Sequence, residues 1–171
     1  RNIYDGMKHT HPLLTSEQDS VLATLLAFSE KSEAELLVEM ELLFKGVTDY
    51  VSDPDTIQSV SHVLTITGDD YRAKLEKFKK VSRTFMPEGK NYRLGVEAIS
   101  LAALTILPVD ADTIISDLRD IEAFLKTKKG YGFFGFSRHD RRAHAAMILA
   151  AHYSEFFAGQ SIKDTVKAAE V

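Results

Sequence analysis

The sequence predicts an all-α fold of repeated antiparallel helical hairpins, arranged as a two-layer α-solenoid-like stack or an orthogonal bundle. Three observations predict it. Apolar residues recur at three- and four-residue steps along most of the chain, no segment sustains the period-2 alternation of a half-buried strand, and helix-cap residues return at a regular interval. The 171 residues are 44% apolar and 27% charged, which is globular usage, and a chain of that length buries about 70% of its unfolded surface. A single domain over 1–171 is therefore expected to fold without staples.

The elements follow in order. Thr15 with Gln18 has capping-box spacing and opens a helix over 16–29 carrying Val21, Leu22, Leu25, Leu26 and Phe28. Ser32 with Glu35 repeats the signal before a helix over 33–51, whose Leu36, Met40, Leu43, Val47 and Val51 share a face. Asp53-Pro54 is an N-cap with proline at the first helical position, so the next helix runs over 54–67 through Ile57, Val60 and Leu64. Gly68 is placed as a left-handed C-terminal cap and Asp69 as the start of a helix that ends near Met86, with Tyr71, Leu75, Phe78, Val81 and Phe85 inward.

The second half has the same grammar. Leu94 to Leu107 is apolar on nearly every side, which marks a central helix that stops at Pro108. Asp110 caps a helix over 111–128 with a stripe of Ile114, Ile115, Leu118, Ile121, Phe124 and Leu125. Ser137 with Asp140 begins a helix over 138–158, with Ala143, Ala146, Met147, Ala150, Tyr153 and Phe157 inward; Gly159 ends it, and Ser161 opens a last short helix over 162–170. The cap positions Thr15, Asp53 and Asn91 are spaced about 38 residues apart, a period characteristic of helical repeats.

Charge supports that order. The helix over 33–51 is acidic around Glu30, Glu33, Glu35, Glu39 and Glu41. The helix ending near Met86 is basic through Arg72, Lys74, Lys77, Lys79, Lys80 and Arg83. The helix over 111–128 is acidic again at Asp110, Asp112, Asp117, Asp120 and Glu122. Side by side, such helices attract, each exposed pair contributing at most about 1 kcal/mol.

Several functions are excluded or disfavoured. The chain has no cysteine, which removes disulfides and thiolate zinc sites and suits a reducing cytosol. The longest nearly apolar run, Ile99 to Val109, falls short of the roughly 20 residues that cross a bilayer, so no membrane partner is expected. The start, Arg1-Asn2-Ile3-Tyr4-Asp5, lacks both a methionine and the apolar core of a signal peptide. It is expected to be a cut or processed end, making the chain the C-terminal part of a longer protein. A net charge of −4 gives no global pull toward polyanions, and the basic helix lacks interleaved aromatics, so nucleic acid is disfavoured.

The most unusual stretch is Lys128-Lys129-Gly130-Tyr131-Gly132-Phe133-Phe134-Gly135-Phe136. Its glycines permit backbone shapes closed to other residues, while its aromatics must be covered or offer a surface. Arg138, Arg141 and Arg142 follow at once on a helix start, so these arginines with Tyr131 form a candidate anion or ligand site. The competing reading is a long connection folded back onto the core. His62, near Ser59 and Ser61, is a second candidate, as a core, groove or ligand-contacting residue. Metal is not expected: His139, His144 and His152 are spaced by five and eight, missing one helix face, and no HExxH occurs. No nucleophile elbow is present. A binding role is favoured over catalysis, with no cofactor and with a protein or peptide as partner.

Beyond these patterns, the chain is similar to a bacterial family of helical proteins known as domain-of-unknown-function family 4003. The likeness is carried by Met7-Lys8, by His11-Pro12-Leu13-Leu14-Thr15-Ser16, by Asp19-Ser20 and Leu25-Leu26-Ala27, by Leu36 to Leu43, by Gln58-Ser59-Val60-Ser61-His62-Val63-Leu64, and by Gly130 to Phe136. These are packing and turn motifs. The resemblance implies a helical fold and a bacterial source and carries no activity.

Overall fold

A computed structural model describes residues 5, 31–85, 95–131 and 135–169, with residues 154 and 157–169 described by backbone alone. Among the described residues the regular structure is six helices: α1 (Glu33–Val47), α2 (Pro54–Thr65), α3 (Tyr71–Phe85), α4 (Gly95–Thr105), α5 (Ala111–Lys126) and α6 (Arg138–Ala169). The helix expected over 16–29, its cap at Thr15, and Asn91 lie outside them. The chain divides into two compact units, Arg1–Ile115 and Ser116–Val171.

Local chemistry sets the helix starts. Ser32 and Glu35 close a reciprocal capping box on α1. The Asp53 carboxylate accepts from the Thr56 N–H at 2.9 Å and from its hydroxyl at 2.7 Å, with Pro54 beginning α2. Asp110 accepts from the Thr113 N–H at 3.0 Å ahead of α5, and Ser137 exchanges bonds with Asp140 at the start of α6. Each such cap contributes on the order of 1 kcal/mol.

Helix ends were less faithful to the pattern. α1 stops at Val47 rather than at Val51. Tyr50 and Val51 turn back with their N–H groups on the Val47 carbonyl, because Pro54 excludes helical backbone just before it and the chain must leave the helix to restart. Val51 is nonetheless fully buried. Gly68 is not a left-handed cap: α2 ends at Thr65 with Ile66 in right-handed backbone, and among the described residues Gly130 alone has positive φ. Asp70, not Asp69, opens α3, accepting from the Arg72 N–H at 3.2 Å. Gly159 does not end a helix, since α6 runs unbroken through it to Ala169. A glycine inside a helix costs only about 1 kcal/mol, too little to stop it.

In the first unit α2 is central, packing against α1, α3 and α4, while α1 also meets α3 and α3 meets α4. Leu36, Leu43, Val47, Val60, Leu64, Phe78, Val81, Leu101 and Leu104 are the fully or nearly fully buried centre. α1 and α3 approach closely at Gly46, where an added methyl would sit 2.3 Å from Leu75 Cδ2. Two buried hydroxyls of α2 are satisfied within the helix, Ser61 on the Gln58 carbonyl and Thr65 on the Ser61 carbonyl, both at 2.8 Å.

Acidic α1 and basic α3 do meet, but their innermost pair is not at the surface. Glu39 on α1 binds Lys74 on α3 at 2.6 Å, both nearly inaccessible, and Lys31 reaches the same carboxylate. Lys80 pairs with Asp112 in the open.

In the second unit Leu118 and Leu125 of α5 and Ala143, Ala145, Ala146, Leu149 and Tyr153 of α6 are buried. Two residues expected inward point out: Phe124 is 58% and Met147 59% exposed. Their neighbours Leu125 and Ala146 are buried, as expected. The Tyr153 hydroxyl donates to Asp117 at 2.5 Å.

Candidate functional site

The glycine-aromatic stretch is a connection with a pinned neck. α5 frays into turns in which the Thr127 and Lys128 N–H groups bond the Phe124 and Leu125 carbonyls, and the Tyr131 N–H returns to the Lys128 carbonyl at 3.1 Å. Gly130 then takes φ +92, a region costly for any residue with a Cβ. Its carbonyl accepts the Phe136 N–H at 2.7 Å and closes the neck. Gly135 is equally constrained, because a Cβ there would lie 1.8 Å from the Gly130 oxygen. Residues 132–134, with Phe133 and Phe134, lie outside the described residues.

The neck presents an aromatic cluster. The Tyr131 and Phe136 ring centroids are 5.2 Å apart, and His144 stands edge-on to both, at 5.7 and 5.1 Å. A 2.8 Å hydrogen bond joins the Tyr131 hydroxyl to His144 Nδ1. Tyr131 is thereby half-buried, while Phe136 remains 50% exposed. One aromatic of the loop is folded back and one is offered outward.

The three arginines differ in burial and in partners. Arg138 is exposed. Arg141 is half-buried and directs NH1 toward the Tyr131 carbonyl at 3.5 Å. Arg142 is buried, with Nε 3.4 Å from the Glu122 carboxylate of α5. The start of α6 already holds an anion. The Asp140 carboxylate accepts from the Ser137 hydroxyl at 2.7 Å and from its N–H at 3.2 Å, and these bonds hold the Asp140 carboxyl below its ordinary value.

His62, the remaining candidate, belongs to the first unit and is 4% exposed on α2. The basic helix is α3, where Glu76, Lys77, Lys80, Arg83 and Thr84 line an open cavity of about 570 Å³. Its cations are largely engaged. Lys74 is buried on Glu39, Lys77 donates to the Leu107 carbonyl at 2.6 Å, Lys79 and Lys80 pair with Glu76 and Asp112, and Arg83 lies over the Tyr50 ring. Desolvation lowers the pKa of Lys74 and Lys77. Among the described residues no group of three or more His, Cys, Asp or Glu could hold a metal ion, and no helix is long and apolar enough to cross a membrane.

Sequence reading missed the Tyr131–His144 bond and the Glu122–Arg142 pair. The first joins residues across the loop and the second joins two helices, and neither spacing is a helical period.

These features define an all-α protein of capped amphipathic helices with an aromatic, glycine-necked connection ahead of its longest described helix. It belongs to the DUF4003 family, described as proteins of unknown function, which matches the chain over residues 1–170. No curated protein and no solved structure matches it.

Proposed function

We propose that this chain is an interaction module of repeated helical hairpins, acting in the bacterial cytosol through the exposed end of the second unit around Phe136 and Arg138. The repeat is supported by the alternation in the first unit, where α1 meets α3 and α2 meets α4. The cytosol is supported by the absence of cysteine. One observation carries the binding role: Phe136 is half-exposed yet locked by the neck bond and by the Tyr131 and His144 rings. A rigid, exposed aromatic loses little freedom on contact, and aromatic and arginine side chains dominate binding energy at interfaces. Arg138 and the half-buried Arg141 and Tyr131 complete that surface, and a protein or peptide is the partner it suits.

Native mass spectrometry of the purified protein and of its Phe136→Ala variant tests this. A bound species retained by the wild type and lost from the variant is expected. A species held equally by both would place the binding surface elsewhere.

A second reading, a small-anion site at the same place, has one observation in its favour. Arg141 Nε is buried with no hydrogen-bond partner, so an anion entering beside the Tyr131 carbonyl would satisfy it.

A further inference from the structure

We propose that the partner contacted by this end of the second unit is a short acidic segment of a protein, held by the cations and exposed rings around the loop neck. The inference rests on the reading that this surface binds a partner at all, and it adds the partner's chemistry.

Charge is the first observation. Between Glu122 and Asp140 the sequence has no Asp or Glu, while Lys126, Lys128, Lys129 and Arg138 fall inside that interval. All four are exposed. The flanking carboxylates are already engaged, Glu122 by Arg142 and Asp140 by its cap on Ser137. In a chain of net charge −4, this is a local reversal of sign, and it acts over about 8 Å at physiological salt.

The rings are the second. Phe124 is 58% and Phe136 50% exposed, and the backbone bonds from Phe124 through Lys128 and Gly130 to Phe136 tie both to one turn-rich corner. Lys128 Nζ sits 4.2 Å from the centre of the Phe124 ring. The ring thus holds an ammonium in place, which reduces the freedom that ammonium loses when a carboxylate arrives.

The same geometry favours an acidic peptide over nucleic acid. Bases stack on open ring faces. Here Lys128 covers one face of Phe124, and Tyr131 and His144 flank Phe136. An extended polyanion or an anionic bilayer would also meet the rest of a net-negative molecule, whereas a short segment meets only this corner.

The test is NMR titration of the full chain with a short peptide alternating glutamate and leucine, and with its glutamine counterpart. The glutamate peptide is expected to shift amide signals over 124–131 and 135–139 and to bind more tightly. Lys128→Glu and Arg138→Glu, both at exposed positions, are each expected to weaken it about five- to tenfold. If the glutamine peptide binds this corner equally well, the acidic partner is overturned while the binding surface stands. If neither peptide shifts these signals, both proposals fail. Stronger binding of an oligonucleotide or of phosphatidylserine vesicles through the same residues also overturns the acidic peptide.

Discussion

Glu39 of α1 and Lys74 of α3 form an ion pair removed from water, with Oε1 and Nζ 2.6 Å apart and side chains 8% and 3% exposed. The ammonium has a second acceptor, the Thr67 carbonyl at 2.7 Å, and the carboxylate has Lys31 as a second donor. Desolvation pushes the Lys74 ammonium below its ordinary pKa, opposed by its bond to Glu39. The pair crosses the same α1–α3 seam in which Gly46 lies against Leu75.

Removing one partner strands the other. Glu39→Ala is expected to destabilise the protein by about 3–5 kcal/mol, because Lys74 is left buried without its carboxylate, while Glu39→Leu combined with Lys74→Met is expected to be near neutral or stabilising. Urea denaturation of the single and double variants checks this. A small loss in the single variant would show that the site admits water.

The helix caps predict an acid-side transition. Bonds from the Thr56 and Thr113 hydroxyls and N–H groups lower the Asp53 and Asp110 carboxyls, and Ser137 does the same for Asp140. A lowered native value means that the unfolded chain, titrating near 3.9, binds protons more readily. The caps therefore contribute fully above that value, and their contribution is lost as pH falls through the lower native ones. Asp53→Asn with Asp110→Asn keeps the caps without the titration. Urea midpoints taken between roughly pH 5 and 2 should fall less steeply in that variant than in the wild type, and parallel slopes would refute the assignment.

The neck predicts two unequal glycine effects. At Gly135 an added methyl meets the Gly130 backbone at 1.8 Å, whereas at Gly130 nothing lies within 4 Å and only the positive φ is strained. Gly130→Ala is expected to cost roughly 1–2 kcal/mol, and Gly135→Ala more, since no side chain can move aside. Hydrogen exchange at the Phe136 amide, which bonds the Gly130 carbonyl, should accelerate more in Gly135→Ala. The reverse order would mean that the neck opens freely.

Core and surface separate cleanly at two further positions. Leu118 has no exposed surface, so Leu118→Ala is expected to cost about 2–5 kcal/mol. Lys79 pairs with an exposed neighbour, Glu76 at 2.9 Å, and Lys79→Ala should cost less than about 1 kcal/mol. Equal losses in urea titrations would contradict the assigned faces of α5 and α3.

What could be read from the sequence was what local chemistry decides. Ser32, Asp53, Asp110 and Ser137 cap their helices as their spacing implies, because the bonding partners lie within three residues. The sign of the charge on α1 and α3 was equally legible. That Glu39 and Lys74 meet out of water was not, since burial depends on which faces of two helices pack. Helix ends were misplaced at Val51, where the chain turns ahead of Pro54, and at Gly68 and Gly159, because a glycine permits a stop without compelling one and packing chooses. At the loop, the glycines and aromatics marked an unusual backbone. The division of Arg138, Arg141 and Arg142 into one exposed, one half-buried and one paired with Glu122 required the second unit's packing. The expectations for Thr15, Leu26 and Asn91 fall outside the described residues.

The bond between the Gly130 carbonyl and the Phe136 amide works as a clasp, since Gly130 follows α5 and Phe136 precedes α6. A single backbone contact thus sets how far the facing ends of those two helices can part, and the Tyr131–His144 bond doubles it.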